Sequence, residues 1–276
     1  MDEPLGVAAS KEGHRRAAVL GSPISHSLSP TLHRAAYASL GLDWSYDAID
    51  VTEEQLPEFI DSLDDSWVGL SLTMPLKERI IPLLTTIDPV AARVGAVNTA
   101  LRQAHGWGGA NTDIDGIVQA LQRAGVDPAS TTATLLGAGA TARSAVAALQ
   151  RLGISRLTVC ARRPEAARTV ADLAESLGIE CRVLDLEPNA AALAVDVVVS
   201  SLPGDAARPW AHLAPSAAGA LLDVSYHPWP SVLAANWGSQ VVASGRDMLL
   251  WQAVEQVRLM TGRLPSADAM RAALPA

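Results

Sequence analysis

The stretch Leu135-Leu136-Gly137-Ala138-Gly139-Ala140-Thr141-Ala142-Arg143 carries the clearest chemistry in the chain. It fits G-x-G-x-x-A between an apolar run and a helical pattern. Gly137 permits a tight turn, Gly139 lets the backbone approach a pyrophosphate, and Ala142 is small enough for close helix–strand packing. The helix that follows the Ala138–Thr141 turn offers free N–H groups and the positive end of its dipole to phosphate. The end of the next apolar run selects the dinucleotide. NAD-type sites place an acid there, roughly 20 residues on, to accept from the ribose 2′-OH. Here Cys160-Ala161-Arg162-Arg163-Pro164 holds no acid before Glu165. An arginine pairs with a 2′-phosphate and stacks on adenine. NADP(H) is therefore the expected cofactor, with Arg162 as first contact, Arg163 as second and Ala161 beside them.

A nicotinamide cofactor needs a carbonyl or alcohol partner and a group that trades a proton with that oxygen. The candidates lie in the first half. Ser27 and Ser29 flank a helix start, where hydroxyls and a dipole suit a carboxylate. Ser29 also reads as an N-cap, with Pro30 at the first helical position. Lys77, four residues beyond Thr73, falls in the first turn of an expected helix, where a cation opposes the dipole. Local violations of that kind concentrate at functional sites. Asn98-Thr99 and Asn111-Thr112-Asp113 sit at strand ends, where binding loops belong. Asp113 also has a plainer reading, as the N-cap of a helix starting near Ile114.

The elements that must position these groups are legible as alternating patterns. Strand-like runs at 17–20, 44–49 and 67–72 alternate with helices over 31–40, stopped by Gly41, and from the capping box Thr52-x-x-Gln55 to about Leu63. Asp88-Pro89 marks another helix start, and short strand-like pieces follow at 96–101 and 106–110. From Thr132 the rhythm is strictly β, α, β, with strands at 132–136, 156–161, 181–186, 195–200, 220–225 and 240–244. The runs at 195–200 and 220–225 are almost continuously apolar, as strands covered on both faces are. Helices over 141–152 and 164–177 end at Gly153 and Gly178. An α/β fold with a doubly wound parallel sheet follows. A last helix, 247–261, reads as amphipathic, with Met248, Trp251, Val254, Val257 and Leu259 as its buried face.

Composition narrows the function. Of 276 residues 49% are hydrophobic and 18% charged, which excludes a disordered chain. No apolar run reaches the roughly 18–20 residues of a membrane span. The first ten residues are acidic and lack the apolar core of a signal peptide. Lys+Arg 21 against Asp+Glu 29 gives −8, which argues against nucleic acid as a partner. Cys160 and Cys181 read as reduced core residues of a cytoplasmic protein, and no metal-ligand spacing is present among the six histidines. Seven tryptophans against the single Phe59 leave a homodimer open, with Trp44 and Trp229 as interface candidates beside the ordinary core reading.

The segments GSPISHSLSP, SLTMPLK, GAVNT, GANTDIDG, GAGATAR, DVSYHP and GRDMLLWQA occur in this order. Together they resemble the shikimate dehydrogenase family from residue 17 to the C-terminus. The resemblance implies an N-terminal α/β substrate domain (1–113), completed by C-terminal helices (247–276), and a Rossmann NADP domain (114–246), with the active site in the cleft between them. It implies NADPH-dependent reduction of 3-dehydroshikimate to shikimate. By position, Ser27 and Ser29 would hold the carboxylate, and Thr73, Asn98, Asp113 and Gln252 the ring hydroxyls. Lys77 and Asp113 would form the catalytic pair. Tyr226 and Gly245 would line the cleft floor near the nicotinamide, Met248 would pack close to that ring, and Ser201 would join the cofactor set. The chain departs from the family's pattern at Ser71, where N-V-T becomes S-L-T. It departs again at Ala140 for a third glycine, Ala161 for asparagine and Arg163 for threonine. Dehydrogenases of quinate or an aminoshikimate, and a non-catalytic NADP(H) sensor, are the alternatives.

Overall fold

The structure, a computed structural model, describes residues 14–215 and 219–275. The acidic N-terminal segment read for a signal peptide lies outside them. Chain contacts divide the protein into two compact units, Met1–Thr112 with Gln252–Ala276, and Asp113–Trp251.

The first unit is built on a mixed sheet. Its strands are β1 (Arg15–Gly21), β2 (Trp44–Asp50), β3 (Trp67–Leu72), β4 (Thr86–Ile87), β5 (Thr99–Arg102) and β6 (Trp107–Ala110), in the order β2-β1-β3-β5-β6-β4. β1 runs parallel to β2 and β3, and β5 runs antiparallel to β3 and β6. Every residue of β3 is buried, as a central strand with both faces covered requires. The helices of this half are α1 (Ser29–Leu40), α2 (Leu56–Asp61), α3 (Leu76–Arg79) and α4 (Pro89–Val94). Asp88 caps α4 as expected, accepting from the Val90 and Ala91 N–H groups at 2.9 and 3.0 Å. Leu20, Leu56, Leu70, Leu76, Ile80 and Trp107 belong to one buried cluster over this sheet.

The second unit opens with α5 (Asp113–Ala124) and continues through β7 (Thr132–Leu136), α6 (Ala140–Arg151), β8 (Arg156–Ala161), α7 (Pro164–Ser176) and β9 (Glu180–Asp185). It then runs through α8 (Ala190–Leu193), β10 (Val197–Ser200), β11 (Ala220–Asp223), α9 (Val232–Ala235) and β12 (Val242–Ser244). The six strands are all parallel, in the order β12-β11-β10-β7-β8-β9. This is the doubly wound order, reversing direction at β7. The apolar runs read as two-sided strands are so: β10 and β11 are buried throughout. α10 (Gly245–Thr261) starts in this unit and ends in the first, where α11 (Ala267–Ala273) packs on α1.

Four local readings need correction. Ser29 is the first residue of α1 rather than its cap; its N–H is taken by the Ser27 hydroxyl at 3.3 Å. α3 is a single turn, so Lys77 lies in its first and last turn at once and the dipole argument for it lapses. α10 is not amphipathic: Leu250, Gln252, Ala253, Gln256 and Met260 are buried along with Met248, Val254 and Val257, and Arg258 alone in the helix is exposed. Cys181 is half-buried on the edge strand β9, whereas Cys160 is core; both are free thiols pushed up to about 11 by burial.

Candidate active site

In the first unit the chemistry gathers at one end of the sheet. The loop after β1 carries Ser27 and leads into Ser29 at the start of α1, and the turn after β3 carries Thr73 and leads into Lys77 in α3. Backbone bonds knit the two segments: the Thr73 N–H donates to Leu20 O at 2.9 Å and the Ser22 N–H to Met74 O at 3.2 Å. Gly21 is required there, because a Cβ would stand 2.4 Å from Thr73 Cγ2 and 2.9 Å from Met74 O. Asn98 precedes β5, which runs antiparallel, so it falls at the same end. The Leu72 N–H donates to Asn98 O at 2.8 Å, and the Val97 N–H to Lys77 O at 2.8 Å. Folding therefore brings Thr73, Lys77 and Asn98 onto adjoining segments. Ser29 and Asn98 are buried; Ser27, Thr73 and Lys77 are half-buried.

A buried polar network underlies this corner. Asn98 Oδ1 accepts from the Thr112 N–H at 2.8 Å and the Thr99 hydroxyl at 2.8 Å. Asn98 Nδ2 points to Gln252 Oε1 at 3.4 Å, so a residue of α10 meets one of β5's approach 154 positions away. His33 lies beneath Ser29, with Nδ1 2.9 Å from the Ser29 carbonyl and its ring stacked on Tyr46 at 3.9 Å. Burial holds the His33 imidazole down to about 4, so it is neutral. Burial also drives the Tyr46 phenol well above its ordinary range, so it stays a donor. Sequence reasoning missed His33, Tyr46 and Gln256. The available signal was Gln256 itself, one turn after Gln252 on a helix that already carried a named site residue.

In the second unit the glycine-rich turn has the expected form. Gly137 has φ 109°, and a Cβ there would lie 2.4 Å from Ser201 Oγ. Ser201 pins the turn by donating both its N–H (2.9 Å) and its hydroxyl (3.0 Å) to Leu136 O. Gly139 is the N-cap of α6 without a side-chain cap, and the first turn holds no acid. Gly139 is exposed, and a Cβ added to it would meet nothing within 4 Å. This open, uncapped N-terminus, with Ala138, Ala140 and Thr141 half-buried around it, fits a phosphate group. Ala142 is fully buried, as close packing of helix on strand requires. The Gly137 N–H donates to Cys160 O at 2.9 Å, which sets buried Ala161 and exposed Arg162 and Arg163 beside the turn in the chain's course.

Asp113, buried, is the first residue of α5. Tyr226, half-buried, lies on the loop after β11. Asp223 closes that loop, accepting from the Ser231 hydroxyl at 2.6 Å and the Ser225 N–H at 3.1 Å; burial pushes its carboxyl up. Gly245 leaves no room for a side chain, since a Cβ would stand 2.0 Å from Val224 O. Ser244 and Asp247 form a reciprocal cap at the start of α10, and Met248 is buried one residue on. Among the described residues no group of three His, Cys, Asp or Glu is placed to hold a metal, and no helix is long and apolar enough to cross a membrane.

The fold and these two sites define a two-unit α/β protein, one unit carrying a doubly wound, dinucleotide-type sheet and the other a cluster of hydroxyls, amides and one lysine. Residues 19–100 match the shikimate dehydrogenase substrate binding domain, and residues 245–274 match the shikimate 5′-dehydrogenase C-terminal domain. The chain is 38% identical to a shikimate dehydrogenase (NADP(+)) of Thermus thermophilus over 94% of its own length and 97% of the relative's. It is 36% identical to one of Moorella thermoacetica, covering 89% and 88%. Among solved structures, shikimate dehydrogenase of Mycobacterium tuberculosis superposes with a TM-score of 0.87 at 40% identity, covering 94% of this chain and 98% of that one. The Thermus thermophilus enzyme in complex with NADP(H) and shikimate gives 0.82 at 34%, covering 94% and 100%. The chain belongs to the shikimate dehydrogenase family.

Proposed function

We propose that this protein is a cytoplasmic NADP-dependent oxidoreductase that interconverts 3-dehydroshikimate and shikimate. The first unit takes the substrate and the second the cofactor. The observation that carries the reading is the convergence at one sheet end of Lys77, Thr73 and the Asn98–Gln252 pair, in a chain whose other unit presents an uncapped glycine turn. Relatives that align along nearly the whole chain carry that activity in their names, which supports the same assignment.

Each residue has an assigned role. Ser27 and Ser29 hold the carboxylate; Thr73, Asn98, Gln252 and Asp113 hold ring hydroxyls. The Gly137–Ala142 turn takes the pyrophosphate, aided by Ser201, which keeps the turn in shape. Arg162 and Arg163, beside Ala161, take the 2′-phosphate. Tyr226, Gly245 and Met248 serve the nicotinamide side. Bound NADP(H) supplies the two-electron chemistry at the nicotinamide ring. Lys77 supplies the proton: its ammonium stabilises the charge that builds on the ketone oxygen and protonates it, and in the oxidation direction the neutral amine takes that proton back. Asp113 is the acidic member of the catalytic pair.

Initial rates with shikimate and with quinate, each against NADP+ and NAD+, test this. The reading requires shikimate with NADP+ to give the highest kcat/KM of the four. Turnover confined to quinate, or none with any pair, overturns it.

A further inference from the structure

We infer that Asp223 is a positioning residue for Tyr226, because its buried carboxylate holds both ends of the loop over 224–231 that carries that ring. The inference rests on the reading above, in which Tyr226 serves the nicotinamide side of the cofactor.

The topology puts this loop where a cofactor belongs. All six strands of the second unit are parallel, so the segments that follow β7, β10, β11 and β12 leave from one end of the sheet. Gly137, Ser201, the 224–231 loop and Gly245 occupy those four places. Doubly wound sheets bind dinucleotides at that end.

The loop has little else to fix its course. The Val224 N–H donates to Ser200 O at 3.0 Å, and the Gly245 N–H reaches Ser225 O at 3.4 Å. Among the described residues, nothing from Tyr226 to Pro230 makes a hydrogen bond, and Pro228 and Pro230 have no N–H to give. That stretch is therefore set at its ends, and Asp223 holds both. One carboxylate oxygen accepts from the Ser225 N–H at 3.1 Å and the other from the Ser231 hydroxyl at 2.6 Å. Ser231 also accepts from the Ala234 N–H at 3.0 Å as the cap of α9, so its one proton goes to Asp223. Two oxygens that both accept suit a carboxylate. Asp223 is buried, so water does not compete cheaply for either bond.

Asp223→Asn is the test, because the amide keeps the side chain's size and turns one acceptor into a donor. Equilibrium titration with NADP+ and with adenosine 2′,5′-bisphosphate, which lacks the nicotinamide half, reads the two halves of the cofactor separately. The expected result is an NADP+ Kd about 5–10-fold higher. The Kd for adenosine 2′,5′-bisphosphate and the shikimate KM should stay within about 2-fold of wild type. In a Tyr226→Ala background the same substitution should add less than about 2-fold, because the residue it acts through is gone. If Asp223→Asn does not fold, Ser231→Ala removes the far end of the clamp and should show the same split. Equal weakening of both ligands, an unchanged NADP+ Kd in a folded variant, or full additivity with Tyr226→Ala overturns the inference.

A second readout needs no cofactor. The chain has three tyrosines, so fluorotyrosine labelling, with Tyr226→Phe for assignment, gives Tyr226 its own fluorine signal. It should stand away from the free-tyrosine position in wild type and move toward it in Asp223→Asn, while the Tyr37 and Tyr46 signals stay in place. A Tyr226 signal already at the free position in wild type, or one unmoved in the variant, overturns the inference. The expected movement in a protein that neither binds NADP+ nor oxidises shikimate would sink the functional reading and leave the positioning role standing.

Discussion

The two units prepare for ligands by different means. The first works through side chains: hydroxyls and amides from β2, β3, β5 and α10 are tied in a buried network whose donors and acceptors have fixed directions. The second works through the backbone: a glycine at φ 109°, a second glycine facing open space, and an uncapped twelve-residue helix behind it. Side-chain networks can discriminate among hydroxyl patterns, because a misplaced group strands a buried partner. Backbone N–H groups and a dipole recognise any phosphate and leave discrimination to a few charges, the role proposed for Arg162 and Arg163.

The largest expected effect separates chemistry from both kinds of binding. Lys77→Ala should lower kcat by about 10²–10⁴-fold while shikimate affinity changes little. Steady-state rates together with direct shikimate titration check this, and near-normal kcat would remove Lys77 from proton transfer.

The next effect is on stability and belongs to the side-chain unit. His33 sits at about 4 in the folded protein against 6.5 when exposed, because burial disfavours its charge. The unfolded chain therefore binds the extra proton between these values. Stability is full above 6.5, falls as pH drops, and levels off below about 4. By about pH 5 this costs roughly 2 kcal/mol. Denaturant unfolding of wild type and His33→Leu across this range should show a steeper pH slope in wild type; parallel slopes would mean that the ring is not the group responsible.

A smaller effect belongs to the backbone unit. Arg162→Gln should raise the NADP+ KM about 10-fold and leave the NAD+ KM unchanged. Equal losses for both cofactors would show that Arg162 supports the fold rather than the 2′-phosphate.

The second unit was more legible in the sequence than the first, for a physical reason. Parallel strands covered on both faces write themselves as apolar runs, and a glycine turn needs its glycines in order, so β7 through β12 and Gly137, Gly139 and Ala142 could be placed from composition and spacing. The first unit depends on contacts between residues far apart in the chain. Tyr46, Ser71 and Gln256 meet only after folding, and nothing in the local pattern at any one of them announces the others. β4 has two residues and leaves no periodicity to read. Ser29 and Lys77 were picked out by rules about helix starts that the real boundaries do not support. α10 misled for a related reason: a helix buried on nearly all sides has no polar face to define, so Gln256 did not stand out. The capping box at Thr52 formed by half, the Thr52 N–H donating to Gln55 Oε1 at 3.0 Å, and its helix runs only over α2.

The division of labour between the units is tested most directly by one set of KM values, for shikimate and for NADP+, in Ser27→Ala and Arg162→Gln. The account predicts a crossed pattern: Ser27→Ala raises the shikimate KM by about 3–10-fold and leaves that for NADP+ in place, and Arg162→Gln does the reverse. Both substitutions raising both constants alike would contradict it.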